Sequence, residues 1–190
     1  MVDYLTIEQV KQVTEMLKQR GNGERHSLIW LLSVNTGLRI SDVLNITIAK
    51  LEGKDLKMQK TKKNVKMIVP EGILQKCRDF AAKNNIADDA LLFGENRKRP
   101  SSGFLIKKNG TMSRQAIYKV WSEIGDQLGI NIGCHSPRKS FGRLLYDKTM
   151  DINLVAKFLG HTDITATFSY IGLTDTRMQE TRAELGLIGC

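Results

Sequence analysis

Leu159-Gly160-His161-Thr162-Asp163-Ile164-Thr165-Ala166-Thr167-Phe168-Ser169-Tyr170 is the stretch on which the fold turns. Apolar spacing predicts short helices from Ile152 to Leu159 and from Ile164 to Tyr170, so the segment reads as helix, Gly-His connection, helix. Tyr170 lies nine residues after His161. A lone tyrosine on an apolar helix is ordinarily a core residue, and taken alone this one points to no chemistry.

Helical signals also dominate the chain on either side. Thr6-Ile7-Glu8-Gln9 has capping-box spacing, and Ile7, Val10, Val13, Met16 and Leu17 follow at helical intervals up to Gly21 and Gly23. A second helix is expected from about Glu24 to Thr36, stopped by Gly37, and a short third from Ile40 to Leu44, opened near Ser41. Pro70 opens a helix to about Lys83, Ser113 caps one to about Leu128, and Pro137 opens another through Phe141, Leu144 and Leu145. Asp175 to Leu185 forms the last. Residues 55–69 differ: Leu56, Met58, Val65, Met67 and Val69 alternate with polar residues, predicting a two-stranded hairpin turning at Lys60-Thr61-Lys62-Lys63-Asn64. Residues 94–112 read as loop, with Asn109-Gly110 as a turn. The expected fold class is mainly α with a small antiparallel β-sheet, in one compact domain.

The chain has 190 residues, 41% of them apolar, enough for a sizeable core without disulfide or metal staples. Its longest apolar run, Leu28-Ile29-Trp30-Leu31-Leu32, is far short of the roughly 20 residues a membrane span needs. Cys77, Cys134 and Cys190 have neither zinc nor redox spacing and read as reduced thiols in a cytosolic protein. Lys plus Arg number 29 against 20 acids, a net charge of +9, which suits an anionic partner such as nucleic acid or a membrane surface. The charge is concentrated: residues 50–66 and 96–122 together hold 14 of the 29 basic residues. Each segment is either an ordinary solvated face or a binding surface, and the concentration favours binding.

Local patterns narrow the chemistry. In Thr36-Gly37-Leu38-Arg39-Ile40-Ser41-Asp42, an arginine follows a helix-ending Gly-Leu, and its planar cationic fork suits a phosphate. Asp42 could orient it, although such a pair alone is more often a surface ion pair. In His135-Ser136-Pro137-Arg138, a histidine and an arginine meet at a helix N-terminus, a favourable place for an anion or merely a capping cluster. The hairpin turn adds lysine. Two arginines, two histidines, a lysine and a tyrosine need no essential carboxylate. That set is wrong for a glycosidase or a metal-dependent nuclease and right for stabilising a five-coordinate phosphate attacked by a phenol.

The order and spacing of T-G-L-R-I-S-D, K-M-Q-K-T-K-K with a following I-V-P, H-S-P-R and L-G-H-T-D-I-T-A-T-F-S-Y resemble the tyrosine recombinase (phage integrase) family. The opening Y-L-T-I-E-Q resembles the start of that family's catalytic domain, and the likeness runs from Tyr4 to about Leu187. The resemblance implies the tyrosine recombinase catalytic-domain fold over residues 1–190; the N-terminal DNA-clamping domain that usually precedes it is not read in these residues, so the chain is expected to be either an excised catalytic domain or one of the short recombinases that lack that domain. It implies that Arg39 and Arg138 clamp the scissile phosphate, while His135 and His161 hydrogen-bond it and assist proton transfer, His135 more as the base. Tyr170 attacks to form a 3′-phosphotyrosine link, and a hairpin lysine protonates the departing 5′-oxygen. Q-K-T-K-K favours Lys60 for that role, whereas counting back from Pro70 gives Lys62. Strand exchange then proceeds without cofactor, metal or ATP.

The resemblance further implies double-stranded DNA as partner, a homotetramer in the DNA synapse, no membrane, and a cytoplasmic, nucleoid-associated protein of bacterial or phage origin. Lys62, Lys63, Lys107, Lys108, Arg114 and Lys139 are expected to contact the DNA backbone. Lys139 stands where family members very often have histidine. The C-terminal segment, Thr174 to Cys190, either docks on a neighbouring protomer or packs on its own domain. Rival readings are a topoisomerase of the same chemistry and a DNA-binding regulator that kept the fold and lost catalysis. Retention of Arg39, His135, Arg138, His161 and Tyr170 weighs against the regulator.

Overall fold

The computed structural model describes residues 2–53, 55–57, 64–66, 68–94 and 112–173. It is mainly helical: α1 (Ile7–Lys18), α2 (Gly23–Thr36), α3 (Ile40–Val43), α4 (Ile48–Glu52), β1 (Asp55–Lys57), β2 (Asn64–Lys66), α5 (Glu71–Lys83), α6 (Arg114–Leu128), α7 (Ser136–Thr149), α8 (Ile152–Leu159) and α9 (Ile164–Tyr170). The two strands pair antiparallel with Asp55 opposite Lys66 and Lys57 opposite Asn64. Asn64, expected in the turn, lies in β2, while the rest of the expected turn, the loop over 95–111 and the C-terminal helix lie outside the described residues. Among the described residues no helix is long and apolar enough to cross a membrane.

The cap signals operate as their spacing predicts. The Thr6 hydroxyl accepts from the Gln9 amide at 3.2 Å, and the Gln9 side chain accepts from the Thr6 amide at 2.9 Å, which satisfies two orphan donors of α1. Ser113 accepts from the Ala116 amide at 3.1 Å to open α6. Helix α3 begins at Ile40 as expected, but its N-cap is Arg39 in extended conformation rather than a residue near Ser41, and it has no side-chain cap hydrogen bond. Helix α4 was not legible as a helix, although Thr47 caps it by accepting from the Lys50 amide at 3.2 Å.

The chain divides into two compact units, residues 1–141 and 142–190. The first is built on α1, α2, α5 and α6, with Leu5, Val13, Leu17, Ile29, Trp30, Leu32, Ile117 and Trp121 fully buried. Each such side chain contributes about 1.5–3 kcal/mol by leaving water. Trp30 of α2 and Trp121 of α6 meet edge to face, ring centroids 5.1 Å apart, and the Trp30 indole donates to the Val10 carbonyl of α1 at 3.3 Å. In the second unit Val155, Leu159 and Ile171 are buried. A Cβ on Gly142 would stand 2.9 Å from Ile171 and 3.1 Å from Leu159, so a bare backbone is what lets α7 approach the segment following Tyr170.

Gly37 ends α2 in the left-handed region, φ 63°, where its amide donates to the Ser33 carbonyl at 3.0 Å. A Cβ there would fall 2.3 Å from the Phe141 ring. Gly37→Ala is therefore expected to lower the unfolding free energy by about 2–4 kcal/mol, combining left-handed strain with overpacking. Urea melts measure it, and an unchanged midpoint would refute the close approach.

Candidate active site

A hydrogen bond joins the arginine motifs. Arg138 lies in the first turn of α7 and is only 3% exposed. Its Nη1 donates to the carbonyl of Gly37 at 2.6 Å, across 101 residues of sequence. Arg39 follows two residues after that carbonyl, half-buried, in the tight α2–α3 connection. The left-handed turn at Gly37 presents the carbonyl, so the glycine that stops α2 also makes the acceptor for Arg138. Asp42 is buried, and its amide donates to the Arg39 carbonyl at 2.8 Å.

His135 is exposed just before α7, and its carbonyl accepts from the Lys139 amide at 2.9 Å as the first bond of that helix. Ser136 accepts from the Gly133 amide at 3.1 Å and fixes the turn that leads in. His135 thus stands at the positive dipole end of α7, a setting that favours an anionic ligand.

Lys139 differs from expectation. It is 6% exposed, and its ammonium donates to the Val2 carbonyl at 2.9 Å rather than reaching outward. Burial pushes its pKa below the usual lysine value, partly offset by the Asp3 carboxylate. This contact is one of several that tie the N-terminal segment to the helix carrying Arg138 and to the connection before it. Leu5 donates to the Ser140 hydroxyl at 2.8 Å, Asp3 donates to the Asn131 carbonyl at 3.0 Å, and the Asn131 amide donates to the Asp3 carboxylate at 3.2 Å. No local pattern signals this strap, because its partners are more than a hundred residues apart. Arg114 is exposed at the start of α6, as a backbone-contacting cation requires. Lys60, Lys62, Lys63, Lys107 and Lys108 lie outside the described residues. Burial raises the thiol pKa of Cys77 to about 12 and that of Cys134 above its usual value, which keeps both thiols protonated and unreactive.

The second unit joins His161 to Tyr170. Gly160 caps α8 in the left-handed region, φ 62°, and the His161 amide donates to the Ala156 carbonyl at 2.9 Å. The His161 and Tyr170 rings meet edge to face with centroids 5.1 Å apart. Nδ1 of His161 lies 3.0 Å from the hydroxyl of Thr167, a fully buried residue on α9 that no sequence pattern singled out. Asp163 opens α9 by accepting from the Thr165 amide at 2.8 Å. Both residues are half-buried, and the hydroxyl oxygen of Tyr170 is itself buried.

Within unit 1 there is thus an anion-favouring helix start with two arginine motifs joined, and within unit 2 a histidine set against a phenol. The profile of the phage integrase family matches residues 3–177. The chain belongs to the phage integrase family, whose curated relatives here are tyrosine recombinases and integrases. One relative is "Probable integrase/recombinase YoeC" of Bacillus subtilis, 27% identical over 97% of this chain and 94% of its own length. Another is tyrosine recombinase XerA of Pyrococcus furiosus, 26% identical over 93% of this chain but only 59% of its own. Among solved structures, that of XerA recombinase superposes with a TM-score of 0.71 at 19% identity, covering 100% of this chain and 66% of that one. That of XerH bound to palindromic difH substrate, a post-cleavage complex, gives 0.69 at 20% identity over 95% of this chain and 52% of that one. Their fold is the fold of this chain.

Proposed function

We propose that the chain is the catalytic domain of a site-specific DNA recombinase or integrase that cleaves double-stranded DNA through Tyr170. The observation that carries this reading is the bond from Arg138 to the Gly37 carbonyl, which gathers the two arginine motifs around one turn. Two guanidinium groups beside a helix N-terminus supply fixed positive charge for the extra negative charge that a phosphate gains as it becomes five-coordinate. Arg39 and Arg138 hold the non-bridging oxygens, His135 takes the phenolic proton, and His161 hydrogen-bonds the phosphate. Tyr170 forms a bond to phosphorus as the 5′-oxygen departs, which leaves a 3′-phosphotyrosine link and a free 5′-hydroxyl. Strand exchange reverses the step with a different 5′-hydroxyl, and the link conserves the energy of the phosphodiester. In the synapse four copies act together, while Lys62, Lys63, Lys107, Lys108 and Arg114 position the duplex by its backbone. The relatives named XerA and XerH, with XerH bound to its difH substrate, support DNA as partner. Trapping of a covalent protein–DNA adduct on nicked suicide DNA tests the reading.

Lys60 is the proton donor to the 5′-oxygen. On a bridging 5′-thio substrate the leaving group needs no acid, so Lys60→Ala should cleave it at close to the wild-type rate while failing on ordinary DNA. Lys62→Ala should show no such selective rescue. Rescue of Lys62→Ala alone would transfer the role to Lys62.

A further inference from the structure

We propose that Thr167 is a positioning residue that fixes the tautomer of His161, so that this ring meets the reacting phosphate only through Nε2. The Thr167 hydroxyl donates to the Asp163 carbonyl, one turn back in α9, at 2.8 Å. A hydroxyl carries one proton, so toward Nδ1 of His161, 3.0 Å away, Thr167 Oγ1 acts as acceptor. Nδ1 therefore bears hydrogen in the neutral ring, and the basic lone pair is on Nε2. Thr167 is fully buried, so water does not compete for either bond. His161 is then fixed by its backbone amide on Ala156, by Nδ1 against Thr167 and by the edge-to-face contact of its ring with Tyr170.

The consequence is chemical as well as steric. With Nδ1 committed, neutral His161 can accept a proton at Nε2, and it donates a hydrogen bond there only as the imidazolium. A ring with the opposite tautomer would donate from Nε2 while neutral. Thr167 thereby sets which protonation state serves the phosphate, and it does so from the same helix that carries the nucleophile, three residues before Tyr170. The role in cleavage rests on the proposed function, whereas the tautomer does not.

The test is nitrogen-15 NMR of the histidine rings in the full chain, paired with adduct formation on nicked suicide DNA. In wild type at a pH where the ring is neutral, His161 should show hydrogen on Nδ1. Thr167→Ser, which keeps the hydroxyl, should retain both the tautomer and the cleavage rate. Thr167→Val, nearly the same shape, should shift the tautomer population toward hydrogen on Nε2 and slow adduct formation by about 10- to 100-fold, the range typical when the partner orienting a functional histidine is removed. Hydrogen on Nε2 in wild type overturns the proposal without recourse to any variant, which matters should Thr167→Val fold poorly. So does a shifted tautomer with undiminished cleavage. Failure of wild type to form any adduct would instead count against the proposed function and leave the tautomer result standing.

Discussion

Tyr170→Phe is expected to abolish the covalent protein–DNA band that the wild-type chain forms on nicked suicide DNA, a loss of roughly 10⁴-fold or more for removal of a nucleophile. The substitution removes one oxygen and keeps the ring. The edge-to-face contact with His161 at 5.1 Å and the burial of the neighbouring Ile171 are retained, so the fold around the site should stand. A free phenol has a pKa of about 10 and is a poor nucleophile at neutral pH, so its reactivity depends on nearby positive charge. Phenylalanine has no oxygen for that charge to activate. DNA binding measured by mobility shift should be unchanged, because the backbone cations are untouched. A persistent band in Tyr170→Phe would assign the nucleophile elsewhere. Tight binding to cognate DNA with no band even in wild type would favour the regulator reading.

Arg138→Lys should lower cleavage by about 100- to 1,000-fold with little change in DNA affinity. Lysine keeps the charge and loses the fork. In the structure one arm of that fork donates to the Gly37 carbonyl at 2.6 Å, and the planar guanidinium is held there in fixed orientation. A single ammonium on a flexible stem cannot hold both that carbonyl and a phosphate at fixed geometry. Affinity is spread over many phosphates and should fall only slightly. Arg138→Ala should in addition cost about 1–3 kcal/mol of stability, because the Gly37 carbonyl loses its charged donor in a buried setting. The two variants separate the roles: a rate lost in both with stability lost only in Ala assigns chemistry to the fork and anchoring to the bond. Cleavage by Arg138→Lys within a few-fold of wild type would remove Arg138 from the reaction.

Several helix boundaries were legible because a cap and its partner sit three or four residues apart. Thr6 with Gln9, Ser113 with Ala116, and Gly37 at the end of α2 are of this kind, since the interaction that ends the helix is contained in the motif that predicts it. Helix α4 escaped because five residues give too short a stripe for period to register, although Thr47 followed by Lys50 at cap spacing was a usable signal. Lys139 was misplaced for a different reason. In sequence it is one more cation beside Arg138, and only the folded N-terminus supplies the Val2 carbonyl that draws it inward.

Sequence by itself determined the mainly helical fold and the family, and it singled out Arg39, His135, Arg138, His161 and Tyr170 as candidates, because helix period, caps and motif order are short-range properties of the chain. The tertiary structure alone decided what those side chains hold. It put Arg138 on a carbonyl 101 residues away, and it set the Thr167 hydroxyl within hydrogen-bond reach of both the Asp163 carbonyl and Nδ1 of His161. Hydrogen bonds of that sort depend on where a backbone turns in space and on which proton is already in use, and neither is written in the spacing of residues along the chain.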